Sequence, residues 1–331
     1  MRKVVYTRTG PAGDVLTLTE APVPVAGPGE VRVRVAWSGV NPSDTKSRAG
    51  TRSSALPFPQ VSPHSDGAGV VDAVGEGVSA ERIGQRVWLW NAAWGRPDGT
   101  AADYVVLPSA QAVRLPDGVP LEAGACLGIP ALTACHAVTG YGGVAGQRVL
   151  VAGGAGAVGH YAVQMARLAG ASQVIASVSS PEKAALALAA GAHAVVDYRR
   201  EDLVARVLAL TGGEGVQRII EVDLAANATH DFAMLATGGI AVVYGSGQPE
   251  ARVPFVPGIL KNLQLAFFIV YHLAPDDRQR CERQLSQWLG AGALSHNIAL
   301  RLPLERIADA HAAVETGQVA GNVVLSVSGE A

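Results

Sequence analysis

The sequence predicts an α/β protein, with a doubly wound parallel sheet in mid-chain and a discontinuous β-rich domain drawn from both ends. Three observations carry this. Between 147 and 271, short apolar runs alternate with helical stretches. A glycine-rich loop at 153–159 joins the first of those runs to a helix. Before Leu121 the chain instead alternates apolar and polar residues and is broken by Gly, Pro and Ser, the pattern of half-buried strands.

The β-rich part is expected to open with a strand at 30–37, where Val31, Val33 and Val35 alternate with Arg32 and Arg34. Further strands are expected at 67–75 and 86–90, separated by Pro/Gly/Ser-rich stretches such as 49–63. In the middle region strands are expected at 148–152, 173–178, 194–197, 216–222, 240–244 and 263–270. Helices fill most gaps, at 157–168, from Pro181 to a stop at Gly191, and at 202–210 and 227–235. Ser180 before Pro181 is an N-cap followed by the residue best suited to the first helical position. Six strands alternating with helices imply a parallel sheet covered on both faces. The last sixty residues predict helices at 276–289 and 303–315 and a strand at 322–327. Such a tail has no core of its own and is expected to pack on the N-terminal part. The expected domains are therefore 1–123 with 273–331, and 124–272.

Composition limits the function. The chain has 331 residues, 26 Lys+Arg against 28 Asp+Glu, and a net charge of −2, so no basic excess exists to neutralise nucleic acid. Hydrophobic residues make up 49 % and charged ones 16 %, which excludes a disordered chain. No apolar run reaches the roughly 18 residues of a membrane span. The opening residues Met1-Arg2-Lys3-Val4-Val5-Tyr6 have no apolar leader. Cys126, Cys135 and Cys281 form no Cys-x-x-Cys pair, and a four-cysteine zinc lobe is impossible. A cytoplasmic protein is expected.

The most specific motif is Gly153-Gly154-Ala155-Gly156-Ala157-Val158-Gly159, in which Gly154, Gly156 and Gly159 fit G-x-G-x-x-G between strand and helix. Glycine lets backbone N–H groups approach a pyrophosphate, and the helix N-terminus adds a favourable dipole. The alternative is a glycine-rich turn without a ligand. An NAD site usually has Asp or Glu at the end of the second strand. Here Ser177-Val178-Ser179-Ser180 stand there, and Lys183 follows one turn later, leaving room and charge for a 2′-phosphate. This favours NADPH. Tyr198 and Arg199, ending the third strand, are placed to flank the adenine ribose.

These residues, with Ser38-Gly39-Val40-Asn41-Pro42-Ser43-Asp44, Ser65-Asp66-Gly67-Ala68-Gly69-Val70-Val71, Leu132-Thr133-Ala134, Gly191-Ala192-His193 and Gly238-Gly239, carry a further inference. The chain resembles the medium-chain dehydrogenase/reductase superfamily over its whole length, and most closely its zinc-free quinone oxidoreductase, zeta-crystallin-like branch. The resemblance implies a GroES-like β domain beside a Rossmann domain, with the active site in the cleft between them. The zinc branch has Cys where Asn41 stands, its ligand His falls at Ser65 rather than His64, and its third ligand falls near Ile129. No metal is expected, and His64 is expected to be a loop or cleft-lining residue. His136 is read as a packing residue.

The resemblance places Asn41 and Thr133 at the nicotinamide end and Ala155, Gly156, Ala157 and Val158 at the pyrophosphate. It places Ser179, Lys183 and Tyr198 around the 2′-phosphate and Asn227 near the cofactor. Tyr244, Gly245, Ser246 and Gly247 follow the fifth strand, Phe267, Phe268 and Ile269 meet the carboxamide, and Asn322 approaches the phosphate. Lys46 stands where several members have Tyr, and another family aromatic is replaced near Thr51. Trp94 offers a substitute ring or packs on its own loop. The implied reaction is hydride transfer from NADPH to a quinone or similar electrophile, with Asn41 or a bound water as hydrogen-bond donor to the developing oxyanion. Asp44 is read as capping a helix at 42–48. An alkenal, enone or enoyl double-bond reductase remains an alternative, as does an NADPH-binding structural protein with little turnover. The apolar run at 263–270 is expected to be an edge strand that pairs two copies into a homodimer.

Overall fold

In the computed structural model, which describes residues 1–51 and 53–327, the alternation at 30–37 continues to Val40. The strand Glu30–Val40 buries Val31, Val33 and Val35 completely and leaves Arg34 exposed. It is central to a seven-stranded sheet whose main path runs Ile298–Pro303, Asn322–Ser326, Glu30–Val40, Asp66–Val74, Arg86–Leu89, Ala112–Arg114. Tyr104–Pro108 pairs separately with Glu30–Val40. The valines of Glu30–Val40 share one core with Leu304, Ile307 and Ala310 and with Val323 and Leu325, so the tail completes the N-terminal sheet. The chain divides into two compact units, Met1–Pro130 with Ser286–Ala331, and Ala131–Leu285, so that 124–130 falls in the first unit and 273–285 in the second, unlike the expected boundaries.

The tail differs from expectation at 303–315. Ile298, Leu300 and Leu302 are half-buried while Ala299 and Arg301 are exposed, so this stretch has period two and forms the strand Ile298–Pro303. A 3₁₀ turn, Leu304–Arg306, then leads into the helix Ile307–Glu315. The short strands Arg2–Val5, Thr17–Glu20, Tyr104–Pro108 and Ala112–Arg114 had no clear sequence signal.

His64 is a loop residue, but it lines no cleft: it has no exposed surface and holds φ at 79°. Its Nδ1 meets Ser38 Oγ at 2.8 Å and its Nε2 meets Nε2 of buried His311 at 2.9 Å. Thr100 Oγ1 donates to the Asp66 carbonyl, so Ser38 must be the donor in its 2.7 Å bond to Thr100. Ser38 then accepts from His64 Nδ1–H, and His64 Nε2 accepts from His311. Burial keeps both rings neutral, and the chain of donors then sets both tautomers.

In the second unit six parallel strands run Ala194–Asp197, Gln173–Val178, Arg148–Val151, Val216–Glu221, Leu235–Val243, Gln264–Phe267. Numbered along the chain this is the order 3-2-1-4-5-6 of doubly wound dinucleotide folds. Helices Ala157–Leu168, Pro181–Ala189, Leu203–Leu210, Leu224–Met234 and Phe255–Leu260 make the crossovers. Ser180 accepts from Lys183 N–H, as an N-cap should. The sixth strand is half its expected length, because the chain leaves the sheet after Phe267 and turns at Val270–His272. The fully buried Arg218 donates to the carbonyls of Ala137 (3.0 Å), Tyr141 (2.8 Å) and Gly143 (2.9 Å), satisfying the C-terminal end of the helix Leu132–Thr139. No helix among the described residues is long and apolar enough to cross a membrane.

Candidate functional site

The glycine loop leaves the strand Arg148–Val151 and opens the helix Ala157–Leu168. Gly153 takes φ +65°, and Gly153 N–H donates to Ser177 Oγ at 3.2 Å. A Cβ on Gly159 would lie 2.2 Å from the Gly153 carbonyl oxygen, so only glycine lets the helix come this close to the turn. Gly156 is the N-cap and no side chain caps this helix end. Ala155, Gly156, Ala157 and Val158 therefore form a backbone cradle of the kind that receives a phosphate.

Around this loop the neighbouring strand ends bring Ser179, Lys183 and Tyr198 together. Lys183 Nζ donates to Ser179 Oγ at 3.1 Å, and Tyr198 N–H donates to the Val178 carbonyl at 3.1 Å. The Tyr198 ring is 49 % exposed. No carboxylate follows the second strand; the first one beyond it, Glu182, lies on the exposed helix surface, where its carboxyl is held down chiefly by a hydrogen bond with Ser180.

The ends of the fifth and sixth strands border a cavity of about 1050 Å³. Tyr244, Gly245, Ser246, Phe267, Phe268 and Ile269 line it together, whereas Gly247 lies just outside, its N–H bound to Asp223 Oδ1 at 2.7 Å. Sequence reasoning assigned His136 to packing. It packs, edge-on to Phe268 (4.6 Å) and Tyr141 (5.3 Å), and it also lines this cavity. Beside it the Cys281 thiol is pulled down, first by its hydrogen bond with Cys135 and then by His136. Nothing in the sequence spacing links residues 136 and 281. Thr133 lies on the same helix as His136 and is 4 % exposed. Asn227 sits on Leu224–Met234 and donates from Nδ2 to Glu221 Oε1 at 2.9 Å.

The remaining expected residues belong to the other unit. Asn41 precedes the helix Pro42–Ala49, and Asp44 accepts from its backbone N–H at 2.8 Å. Its side-chain Nδ2 donates to Asp66 Oδ2 at 2.9 Å. Asp66 is completely buried, its carboxyl pushed up mainly by desolvation, and its Oδ1 has no hydrogen-bond partner among the described residues. The Ser65-Asp66-Gly67 motif was the only available signal for this carboxyl. Asn322 opens the strand Asn322–Ser326, with Nδ2 donating to the Asn297 carbonyl at 3.0 Å. Trp94 is 38 % exposed in an irregular segment. Among the described residues no group of three or more His, Cys, Asp or Glu is placed to hold a metal ion.

Residues 27–117 match the alcohol dehydrogenase GroES-like domain, and residues 157–289 match the family described as zinc-binding dehydrogenase. The quinone oxidoreductase of Homo sapiens is 31 % identical over a 333-residue alignment that covers 98 % of this chain and 97 % of that protein. The crystal structure of an NAD-dependent alcohol dehydrogenase superposes with a TM-score of 0.91 at 32 % identity, covering 99 % of this chain and 100 % of that one. A mycobacterial protein solved with NADPH gives 0.87 at 30 % identity, with coverage of 99 % and 100 %.

Proposed function

The chain belongs to the medium-chain dehydrogenase/reductase superfamily, in its quinone oxidoreductase branch, and is an oxidoreductase of the nicotinamide type; on that premise we propose that it is an NADPH-dependent, zinc-independent reductase of quinones or similar electrophilic acceptors. One observation carries the cofactor choice: the Lys183–Ser179 pair stands at the second strand end, where an NAD site would need a carboxylate. The likeness to an NAD-dependent enzyme makes this preference the first quantity to measure.

The residues present fit the cofactor. The cradle at 155–158 would take the pyrophosphate, Ser179, Lys183 and Tyr198 the phosphorylated ribose, and the 244–247 and 267–269 segments the nicotinamide half, with Thr133, Asn227 and Asn322 as further contacts. When bound, NADPH supplies the hydride. The chain's own task is to orient the acceptor, exclude water and donate a hydrogen bond to the oxygen that gains charge. Asn41 is assigned that donor role. Serine at 65 and asparagine at 41 leave no thiolate or imidazole set for zinc.

The strand Gln264–Phe267 forms an edge of the sheet, and Phe267 is 65 % exposed. Phe255 and Leu260 on the preceding helix are exposed by 74 % and 76 %. An uncovered apolar edge of this kind supports a homodimer.

The test is oxidation of NADPH and of NADH with a panel of quinones and of alkenals or enones, before and after dialysis against a chelator. Turnover of quinones with NADPH that survives dialysis is expected. Turnover of enones alone moves the assignment to a double-bond reductase. Loss of all turnover on dialysis refutes zinc independence.

A further inference from the structure

Glu221 ends the strand Val216–Glu221, and Asp231 lies on the helix that follows, Leu224–Met234. Their exposures are 0 % and 1 %. The two carboxyls lie close enough for each to shift the other's protonation. Yet Glu221 Oε2 and Asp231 Oδ2 have no donor partner among the described residues. Two ionised carboxylates are acceptors only and repel each other, so two such buried neighbours with no donor to either oxygen require a proton between them.

No cation on the packed elements offsets the charge. Arg218, on the same strand, is spent on main-chain carbonyls, and Lys261 Nζ is bound to the carbonyls of Phe232, Ala233 and Leu235. Arg148 pairs with Glu214 at 2.7 Å and Arg206 with Glu201 at 3.5 Å. The other titratable groups facing Glu221 are Asp223 and the Tyr244 phenol.

We propose that Asp231 is protonated at neutral pH, shares its proton with Glu221, and through Glu221 positions Asn227 and the 245–247 segment for the dinucleotide. The inference rests on the cofactor reading above. Glu221 Oε1 accepts from Asn227 Nδ2 at 2.9 Å and from the Asp223 N–H. Asp223 Oδ1 in turn accepts from Gly247 N–H at 2.7 Å. Asp231 is thus a positioning residue that acts through Glu221, which is one hydrogen bond from Asn227 and two from Gly247. Burial first, and then the Glu221 charge, push its carboxyl up to about 9. Above that pH two buried anions face each other and Glu221 is driven from its place.

The test is NADPH titration, read by nicotinamide fluorescence, for the wild type, D231N and E221Q between about pH 7.5 and 10. In either variant a side-chain amide donates across the pair at every pH. The wild type is expected to lose affinity by about tenfold relative to both variants, with a midpoint near the Asp231 value. An infrared difference spectrum, D231N minus wild type at pH 7.5, should show loss of a protonated-carboxyl band. Parallel pH profiles for wild type and D231N overturn the positioning role, and absence of that band overturns the shared proton. If the band is present but no dinucleotide binds at any pH, the cofactor reading fails and takes the positioning role with it.

Discussion

The side-chain amide of Asn41 donates to Oδ2 of Asp66 at 2.9 Å, and Asp66 Oδ2 also accepts from the Ile129 N–H at 3.0 Å. Asn41 is held at its backbone as well, by Asp44, so its amide has one orientation. A donor fixed in advance costs no reorganisation when charge develops on an acceptor oxygen. Asn41→Ala should therefore lower kcat by on the order of a hundredfold while the NADPH dissociation constant stays within about twofold. Equal losses in turnover and affinity would mean that Asn41 supports binding and not the reaction. Asp66→Leu should weaken turnover in the same direction by releasing the amide.

Lys183 and Ser179 lie at hydrogen-bond distance beside the strand end where the 2′-phosphate is assigned. A charge-assisted contact to phosphate contributes about 1.5–3 kcal/mol, a factor of roughly ten to a hundred. Lys183→Ala should raise KM for NADPH by that factor and leave KM for NADH within about twofold. Steady-state kinetics with both cofactors decides it, and a parallel rise for both removes Lys183 from the phosphate site.

Much of the second unit was legible because its signals are local. The helix Ala157–Leu168 and the strands Gln173–Val178 and Ala194–Asp197 fall where the apolar period, Ser180-Pro181 and the glycine stops place them. The run at 263–270 misled because apolar character continues past the last residue that finds a strand partner. The segment 303–315 misled because a two-residue period and a helical period abut at a 3₁₀ turn. Contacts between distant residues left no trace: His64 meets His311 across 247 positions, and neither neighbourhood hints at the other. Glu221 and Asp231 both lie in segments read correctly in outline, but the shared proton depends on their depth, which no periodicity reports.

The His64–His311 contact makes the first unit sensitive to acid. Desolvation holds His64 well below its usual value of 6.5, and desolvation followed by the Arg48 charge holds His311 at about 3. The unfolded chain takes up protons below about pH 6.5 and the folded chain does not, so stability is complete above that pH and falls below it. Each histidine should contribute a loss of up to about 1.4 kcal/mol per pH unit. His311→Gln keeps a donor toward His64 Nε2 without titrating, and should reduce the slope of denaturant-derived stability between about pH 6 and 4.5 by up to about 1.4 kcal/mol per pH unit relative to the wild type. An unchanged slope would place the acid sensitivity elsewhere.

The glycine loop permits a separation of folding from binding, because its glycines are required for different reasons. At Gly159 an added Cβ would lie 2.2 Å from the Gly153 oxygen and 3.0 Å from Gly154 Cα, all of it backbone that cannot rotate away. Gly159→Ala should cost about 1–3 kcal/mol of stability, as overpacking does, and weaken dinucleotide binding as the turn shifts. At Gly156 an added Cβ meets only the Gly153 oxygen at 3.3 Å, and its φ of −73° suits any residue. Gly156→Ala should therefore cost only about 0.5–1 kcal/mol, the loss expected when alanine replaces glycine at an N-cap, yet place a methyl group at the helix entrance assigned to the pyrophosphate. Its NADPH dissociation constant should rise about tenfold or more, while the melting temperature falls less than in Gly159→Ala. Wild-type affinity in Gly156→Ala would show that the pyrophosphate does not approach this backbone, and the cradle at 155–158 would then be a packing device for the turn alone.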